Sequence, residues 1–138
     1  MEEKKPKVGV GAIIVKNNQV LLAKRIGSHG ANTWGSVGGH LEYKETPRQA
    51  LIREAKEELG IQLTKISFLC CTNFVIEDKH YIDLGFSAQI KSGTPQIKEK
   101  HKIAEVKWFD LNKIPKNLFP PIKRYLEALK TKKAYFET

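Results

Sequence analysis

The chain has 138 residues, of which 41% are hydrophobic, and its formal net charge is +9 at neutral pH. This length allows one compact core and is too short for two, so we expect a single domain over residues 1–138. The longest apolar runs, such as "GVGAIIV", are much shorter than a bilayer-spanning helix, and the start "MEEKKPK" is not typical of a signal peptide. We therefore expect a cytoplasmic protein without a membrane partner.

The charge is unevenly distributed along the chain. Residues 38–61 carry five acidic and four basic side chains, a net charge of −1, whereas the remainder carries +10. A basic surface is typical of proteins that bind nucleic acid or another polyanion. The acidic side chains are thus concentrated in one segment of an otherwise basic protein.

The first elements in chain order are two strands. β-Branched residues over 8–15 and 19–24 predict these strands, and the polar residues Lys16, Asn17 and Asn18 between them predict a hairpin turn. The following stretch, "IGSHGANTWGSVGG", contains five glycines. It predicts a loop with a short strand near residues 34–37, in a region where functional sites are commonly built.

A helix is predicted over residues 47–59. Thr46 can cap free backbone N–H groups, and Pro47 suits the first helical position, where its missing donor costs nothing. Gly60 marks the end, because glycine adopts the left-handed conformation that closes a helix.

The second half of the chain predicts three more strands and one more helix. Residues 64–76 and 79–90 have strand patterns around a turn at Glu77 and Asp78, and "AEVKWFDL" is a further strand. Apolar residues at helical spacing predict an amphipathic helix over 120–132. We expect frayed ends at residues 1–6 and 133–138 and buried cysteines at Cys70 and Cys71. The mixture predicts an α/β fold.

The predicted helix over 47–59 carries a cluster of carboxylates. On a helix that advances about 100° per residue, Glu54, Glu57 and Glu58 lie within an arc of roughly 100° and so share one side. The three carboxylates repel one another. Their clustering can be interpreted in two ways. The cluster is either a solvated helix face that nearby basic side chains such as Arg53 neutralise, or a site for a hard divalent cation, which takes oxygen ligands.

The spacing of these residues resembles the Nudix box, G-x5-E-x7-R-E-U-x-E-E-x-G-U, in which U is a bulky apolar residue. The positions are occupied here by Gly39, Glu45, Arg53, Glu54, Ala55, Glu57, Glu58, Gly60 and Ile61. Ala55 is the one departure from the motif, because it is smaller than the bulky apolar residue usual at this position. Trp34 before the diglycine, "LL-x-K-R" at residues 21–25 and "WFDLNKIP" at residues 108–115 extend the resemblance to the MutT-type branch over most of residues 8–130.

The resemblance implies an α/β/α sandwich with a mixed sheet between helices, and hydrolysis of a nucleoside diphosphate linked to another group. It implies Mg²⁺ as the cofactor, with Mn²⁺ as a substitute. The metal ligands would be Glu57, Glu58, Glu54 and the carbonyl of Gly39 or its neighbour. Glu54 would alternatively orient the attacking water, and Arg53 would hold the carboxylates in place. A bound divalent cation neutralises charge that develops on the phosphate, which agrees with these roles.

Two further acidic residues are of interest, Glu45 and Glu99. Glu45 precedes the helix, where a carboxylate is favoured by the helix dipole, and we interpret it as a structural, helix-capping residue. In relatives, a catalytic acid also comes from a loop late in the chain, and Glu99 in "IKEKHK" is the best match. The alternative for Glu99 is an ordinary exposed loop residue. His101 stands where some relatives have a second acid, so the identity of the general base stays open.

Substrate contacts are expected at four residues. Lys24 and Arg25 would attract the polyphosphate, and Phe119 stands where relatives place an aromatic residue that stacks on the base. Trp34 either borders this pocket or packs in the core. Where the relative that cleanses oxidised purine triphosphates has two acids, this chain has Pro121 and Ile122, so specificity for oxidised purines is not expected.

The leading hypothesis is a pyrophosphohydrolase that cleaves nucleoside triphosphates to the monophosphate and pyrophosphate. Enzyme alternatives act on NADH or on capped or triphosphorylated RNA ends. A non-catalytic domain that binds nucleotides or RNA is the alternative from another class, although such a binder has no need of a repulsive carboxylate cluster. The sequence leaves open whether the protein is a monomer or a homodimer.

Overall fold

The computed structural model describes residues 3–27 and 30–138. The described residues form eight strands and two helices. In chain order these are β1 (Lys7–Lys16), β2 (Gln19–Arg25), β3 (Trp34–Gly35), β4 (Val37–His40), α1 (Pro47–Leu59), β5 (Gln62–Ile76), β6 (Lys79–Ser92), β7 (Ile103–Asp110), α2 (Pro120–Thr131) and β8 (Tyr135–Glu137). Neither helix in this part of the chain is long and apolar enough to cross a membrane.

The strands form one mixed sheet with the order β3-β2-β1-β6-β5-β8. Strand β1 is central: it pairs antiparallel with β2 and β4 and parallel with β6. Strand β7 pairs with β2, and β8 pairs parallel with β5. Because β4 pairs directly with β1, the diglycine Gly38-Gly39 lies beside the middle of the sheet.

Both predicted hairpins are confirmed. Asn17 and Asn18 connect β1 to β2 with φ angles of 50° and 62°, a left-handed conformation that asparagine tolerates better than most residues. Glu77 and Asp78 connect β5 to β6, and Glu77 has a φ of 54°. The positive φ angles at these turns match the twist of the flanking strands.

The two faces of the sheet are covered by different helices. One apolar cluster, the α1-side core, contains Val10, Ala12 and Ile14 of β1, and the other, the α2-side core, contains Ile13. The first also contains Ala50, Leu51, Ala55 and Leu59 of α1, and the second contains Ile122, Tyr125 and Ala128 of α2. Successive strand residues point to opposite faces, so this alternation confirms the α/β/α sandwich.

Helix α1 has the predicted bounds. The Thr46 hydroxyl accepts a hydrogen bond from the Gln49 N–H, and the Gln49 side chain accepts one from the Thr46 N–H, which forms a capping box. Gly60 ends the helix with a φ of 66°. These caps show why the bounds of α1 could be read from the sequence.

The prediction of a frayed C-terminus at residues 133–138 is wrong. Residues 135–137 form β8, which pairs with β5, and Phe136 is buried in the α2-side core. A strand of three residues is too short to give a period of its own, and a single apolar side chain anchors it. Helix α2 ends one residue before the predicted position, at Thr131.

Candidate active site

Glu58 lies at the contact between α1 and the free edge of β4. The Gly38 N–H donates a hydrogen bond of 3.1 Å to Glu58 Oε1. Residues from α1 thus reach the backbone of the diglycine directly. The hydrogen bond fixes one carboxylate oxygen of Glu58.

Glu54 occupies space that only a glycine at position 39 leaves open. A Cβ atom at Gly39 would lie 2.6 Å from Glu54 Oε1 and 2.8 Å from its carboxyl carbon. Such distances are shorter than any ordinary contact, so a side chain at this position would displace the carboxylate. The sequence therefore needs glycine here for a close approach between a carboxylate and the backbone.

Arg53 connects the carboxylates. Its Nε and Nη2 atoms donate to the two oxygens of Glu45, at 2.8 and 3.0 Å, and its Nη1 donates to Glu54 at 2.7 Å and to Glu57 at 3.5 Å. The bidentate hydrogen bonds with Arg53 lower the pKa of Glu45 and raise the pKa of Arg53. Glu45 does not cap α1, because Thr46 and Gln49 do so. Its role is to orient Arg53.

The loop between β6 and β7 is anchored to the end of α1 through backbone groups. The Gln96 N–H donates to the Leu59 carbonyl at 2.9 Å, and the Lys98 N–H donates to the Glu58 carbonyl at 3.0 Å. These bonds satisfy carbonyls that the helix terminus leaves unpaired. They also bring Glu99, the next residue, close to the carboxylates of α1.

The environment of Glu58 favours its protonated form. The pKa of Glu58 is raised to about 8, mainly by burial and also by the negative charges of Glu54 and Glu99, while the hydrogen bond from the Gly38 N–H opposes the shift. Three carboxylates therefore converge where solvent is largely excluded. Carboxylates in such a position normally have a compensating cation or a bound proton.

Glu99 has an unsatisfied oxygen. Its Oε1 is buried and has no hydrogen-bond partner; the nearest cationic group, Lys102 Nζ, is 3.7 Å away. The backbone of Glu99 is well held, because its carbonyl accepts hydrogen bonds from the N–H groups of Lys102 and Ile103. A buried acceptor without a partner normally indicates a missing cation, water or substrate group.

Arg25 and Phe119 form the other side of the site. The Arg25 guanidinium lies 4.0 Å from the centre of the half-buried Phe119 ring. Burial lowers the pKa of Arg25, and the carboxylate of Glu58 opposes this shift. Arg25 is therefore within electrostatic reach of the carboxylates while it contacts the aromatic ring.

A family model for the NUDIX domain matches residues 5–129 of this chain. The chain belongs to the Nudix family. Similar curated proteins include the 8-oxo-dGTP diphosphatase of Proteus vulgaris, which is 41% identical over 87 residues, or 62% of this chain and 77% of that protein. The 8-oxo-dGTP diphosphatase of Escherichia coli K12 is 31% identical over 119 residues, or 86% of this chain and 90% of that protein.

Solved Nudix structures have the same fold. The crystal structure of a MutT Nudix hydrolase from Burkholderia pseudomallei superposes with a TM-score of 0.88 at 32% identity, covering 91% of this chain and 99% of that one. The chain is thus a Nudix hydrolase of the diphosphatase class, as the box at residues 39–61 predicted.

Nudix hydrolases generally need a divalent metal, and the residues present fit one. The donor set consists of carboxylate and carbonyl oxygens, which hard cations such as Mg²⁺ prefer, and one buried oxygen of Glu99 has no partner. Among the described residues, no three acidic, histidine or cysteine side chains are already placed to bind one metal ion together. Glu57 in particular is directed to Arg53 rather than to Glu58.

The structure brings some of the predicted site residues together and places others elsewhere. Glu54, Glu58, Glu99, Arg53 and Gly39 are brought together as described. Arg25 lies near Glu58, and Phe119 contacts Arg25 while it packs against the α2-side core.

Trp34 and Lys24 belong to the other side of the sheet. Trp34 is 8% exposed, packs in the α2-side core and contacts Phe109 edge-to-face at 4.8 Å between ring centres. Lys24 Nζ lies 6.0 Å from the centre of the Trp34 ring. This placement favours the packing interpretation of Trp34 over the pocket interpretation.

Sequence reasoning missed the contributions of backbone groups. The N–H groups of Gly38, Gln96 and Lys98 hold Glu58 and the loop of Glu99, and no side-chain pattern reports a backbone donor. The glycine at position 38 was a usable signal. A Cβ there would lie 2.5 Å from the Val10 carbonyl oxygen, so the position requires glycine for its packing against β1.

Proposed function

We propose that this chain is a Mg²⁺-dependent pyrophosphohydrolase that cleaves nucleoside triphosphates to the monophosphate and pyrophosphate. The observation that carries the proposal is the convergence of Glu54, Glu58 and Glu99 around a largely buried position, where the charges of Glu54 and Glu99 raise the pKa of Glu58. Such an arrangement destabilises the free protein and has a purpose when a cation binds there. Membership of the Nudix family supports the reaction class.

The metal would be held by Glu54, Glu57, Glu58 and the Gly39 carbonyl. When bound, a divalent cation in such a site neutralises charge on phosphate oxygens and lowers the pKa of the attacking water. Arg53 keeps the carboxylates of Glu54 and Glu57 on the same side of α1. Glu45, with both oxygens on Arg53, keeps that guanidinium in place.

The reaction breaks one phosphoanhydride bond with water. The water oxygen bonds to a phosphorus atom, the bridging oxygen leaves with the pyrophosphate, and the water releases a proton to a base. Glu99 and Glu54 are the candidate bases. The buried Oε1 of Glu99, which has no hydrogen-bond partner, supports Glu99 for this role.

The substrate would be held by Arg25 and Phe119. Arg25 would contact the polyphosphate from its position near the carboxylates, and Phe119, which Arg25 contacts, would be the aromatic residue beside the nucleobase. Lys24 adds positive charge at the end of β2. The contact between Arg25 and Phe119 links the phosphate side of the proposed pocket to its base side.

The base preference is the finer part of the proposal. The two 8-oxo-dGTP diphosphatases that resemble this chain make an oxidised purine triphosphate the first substrate to test. The two positions of helix α2 after Pro120 argue in the other direction. Pro121 has no side-chain donor or acceptor, and the apolar side chain of Ile122 is buried in the α2-side core. We therefore propose a nucleoside triphosphate without assigning the base.

The test is turnover of a panel of nucleotides, with and without Mg²⁺ or Mn²⁺, followed by pyrophosphate release for the triphosphates and by AMP formation for NADH and ADP-ribose. The panel contains the common ribo- and deoxyribonucleoside triphosphates, 8-oxo-dGTP, NADH, ADP-ribose and a 5′-triphosphorylated RNA. We expect metal-dependent pyrophosphate release from at least one triphosphate. Turnover of NADH, ADP-ribose or RNA alone would assign the site to another substrate class. Nucleotide or RNA binding without turnover of any compound would contradict the enzyme proposal.

A further inference from the structure

Three glycines lie in one row across the centre of the sheet. Gly11 of β1 pairs with Gly38 of β4 on one side and with Gly85 of β6 on the other. None of the three carries a side chain, and at Gly11 and Gly85 the bare backbone faces α2. The row includes the residue whose N–H holds Glu58.

Tyr125 of α2 fills the space that two of these glycines leave. A Cβ atom at Gly11 would lie 2.5 Å from the Tyr125 hydroxyl oxygen, and one at Gly85 would lie 2.3 Å from its Cε1. The ring therefore rests directly on the backbone of β1 and β6. Tyr125 is 2% exposed and belongs to the largest fully buried side chains of the described residues.

The Tyr125 hydroxyl is held by one acceptor. It donates a hydrogen bond to Asp83 Oδ2 of β6, and Asp83 is itself 8% exposed. The second oxygen of Asp83 faces Gly9 of β1, where a Cβ would lie 3.0 Å away. Asp83 and Tyr125 thus contact β1 at two glycines of the same face, Gly9 and Gly11.

The opposite helix meets β4 directly beside this row. Gly38 donates to Glu58, and Gly39 leaves the space for Glu54, as described above. Gly38 is aligned with Gly11, and a Cβ on Gly38 would lie 3.0 Å from the Gly11 Cα, so the two backbones are in close contact. A change in the position of β1 at Gly11 therefore moves the Gly38 N–H relative to Glu58.

We propose that Tyr125 is a positioning residue for the carboxylate centre and acts across the sheet through Gly11 and Gly38. The hydrogen bond to Asp83 fixes the ring on β1, and β1 fixes β4, whose backbone holds Glu58 and accommodates Glu54. This inference rests on the proposed function, because it assumes that these carboxylates bind the metal. It assigns a functional role to a side chain on the face of the sheet away from the site.

The test compares Tyr125→Phe with Ile122→Val. Both substitutions alter buried residues of α2, but Tyr125 and not Ile122 is among the nearest neighbours of Gly11 and Gly85, so Ile122→Val controls for a general loss of packing. The first readout is Mn²⁺ affinity of the substrate-free protein, measured from the free ion by electron paramagnetic resonance. We expect Tyr125→Phe to weaken Mn²⁺ binding about 10-fold, the size of effect typical of residues that orient metal ligands. Ile122→Val is expected to leave Mn²⁺ affinity unchanged.

The second readout uses the acceptor. Asp83→Asn retains an oxygen that accepts the Tyr125 hydrogen bond and should preserve Mn²⁺ affinity, whereas Asp83→Ala removes the acceptor and should weaken it as Tyr125→Phe does. If Tyr125→Phe does not fold, the comparison of Asp83→Asn with Asp83→Ala tests the proposal instead. The amide resonance of Gly38 should shift in the variants that lose the bond and stay in the control.

Kinetics separate this inference from the proposed function. For the nucleotide that the wild type hydrolyses, we expect Tyr125→Phe to lower kcat with little change in KM, because the substrate-binding residues lie elsewhere. A wild type without turnover would contradict the proposed function. An active wild type with equal Mn²⁺ affinity in Tyr125→Phe and Ile122→Val, or equal losses in Asp83→Asn and Asp83→Ala, would overturn the positioning role of Tyr125.

Discussion

The two helices cover the same sheet and are specified in different ways. Helix α1 has a capping box at its start and a glycine in the left-handed conformation at its end. Helix α2 is preceded by Phe119, which makes no side-chain cap, and is followed by Lys132, a non-glycine residue with a φ of 68°. Local signals therefore define α1, whereas α2 depends on the burial of its apolar face. A locally defined helix is a suitable carrier for charges that contribute nothing to packing.

The buried carboxylates on the two sides of the sheet also differ. On the α1 side, Glu58 adjoins other carboxylates, and burial raises its pKa to about 8. On the α2 side, Asp83 has one partner, the Tyr125 hydroxyl, and burial raises its pKa to about 6. The carboxylates around Glu58 repel one another, and a bound cation would relieve this repulsion. The hydrogen bond between Tyr125 and Asp83 carries no charge at low pH. We therefore expect substitutions on the α1 side to separate activity from stability.

The largest effect is expected for Glu58→Gln. The change should reduce kcat about 10²- to 10³-fold, because it removes a charge that the metal and the transition state require. The free energy of unfolding should not fall, since the ionised carboxyl is disfavoured in the folded state and glutamine still accepts from the Gly38 N–H. Turnover is measured with Mg²⁺ at pH 8. The free energy of unfolding is measured by denaturant at the same pH without metal.

Glu42→Gln is the matched control for this change. It removes the same charge from the same acidic segment, but the Glu42 side chain is exposed and lies 3.7 Å from Arg53. Its kcat should stay close to that of the wild type. An equal loss of activity in the two variants would show that total charge matters rather than the position of Glu58.

On the α2 side, Ile122→Ala should act on stability. Ile122 is 2% exposed in the α2-side core, and deletion of a buried aliphatic side chain costs about 3–4 kcal/mol through lost burial and the cavity that remains. The activity of the folded fraction should change little, because Ile122 lies on the face of the sheet opposite the carboxylates. Urea unfolding together with kcat below the transition checks this. A large loss of kcat in fully folded protein would mean that Ile122, like Tyr125, affects the carboxylates from the α2 side.

The pH dependence of stability should distinguish Asp83. The pKa of Asp83 rises from 3.8 to about 6 on folding, so the folded state holds its proton over a pH range in which the unfolded chain has lost it. This group therefore lowers stability as the pH rises from about 4 to 6, by up to about 3 kcal/mol. Asp83→Asn should remove that slope, so the difference in unfolding free energy between variant and wild type should grow in favour of the variant across this window. A constant difference from pH 4 to 7 would contradict the raised pKa.

The sequence predicted the α1 side of the molecule better than the rest. The box at residues 39–61 predicted the bounds of α1 and the carboxylates that share its face, because caps and helical spacing are local properties. The role of Glu45 was less visible. A carboxylate before a helix is compatible both with a cap and with a bond to Arg53, and only the folded backbone distinguishes them.

The α2 side was harder to predict because its contacts join distant parts of the chain. Strand β8 depends on Phe136 reaching the α2-side core, and Trp34 is buried by Phe109, a residue of β7. The hydrogen bond between Tyr125 and Asp83 joins residues that are 42 positions apart. No spacing rule reports such pairs, which form only after the sheet is assembled.

The smallest expected effect concerns the ends of the two helices. Thr46→Ala removes the hydroxyl that accepts from Gln49 and should lower the free energy of unfolding by about 1 kcal/mol. Lys132→Gly at the end of α2 should raise it by up to about 1 kcal/mol, because glycine adopts a positive φ without the cost of a Cβ. The free energies of unfolding of the two variants, measured with denaturant, test whether the capping residues are already optimal in α1 and not in α2. Kinetic constants should be unchanged in both, since neither residue contacts the carboxylates; equal destabilisation by the two substitutions would contradict the distinction between the helices.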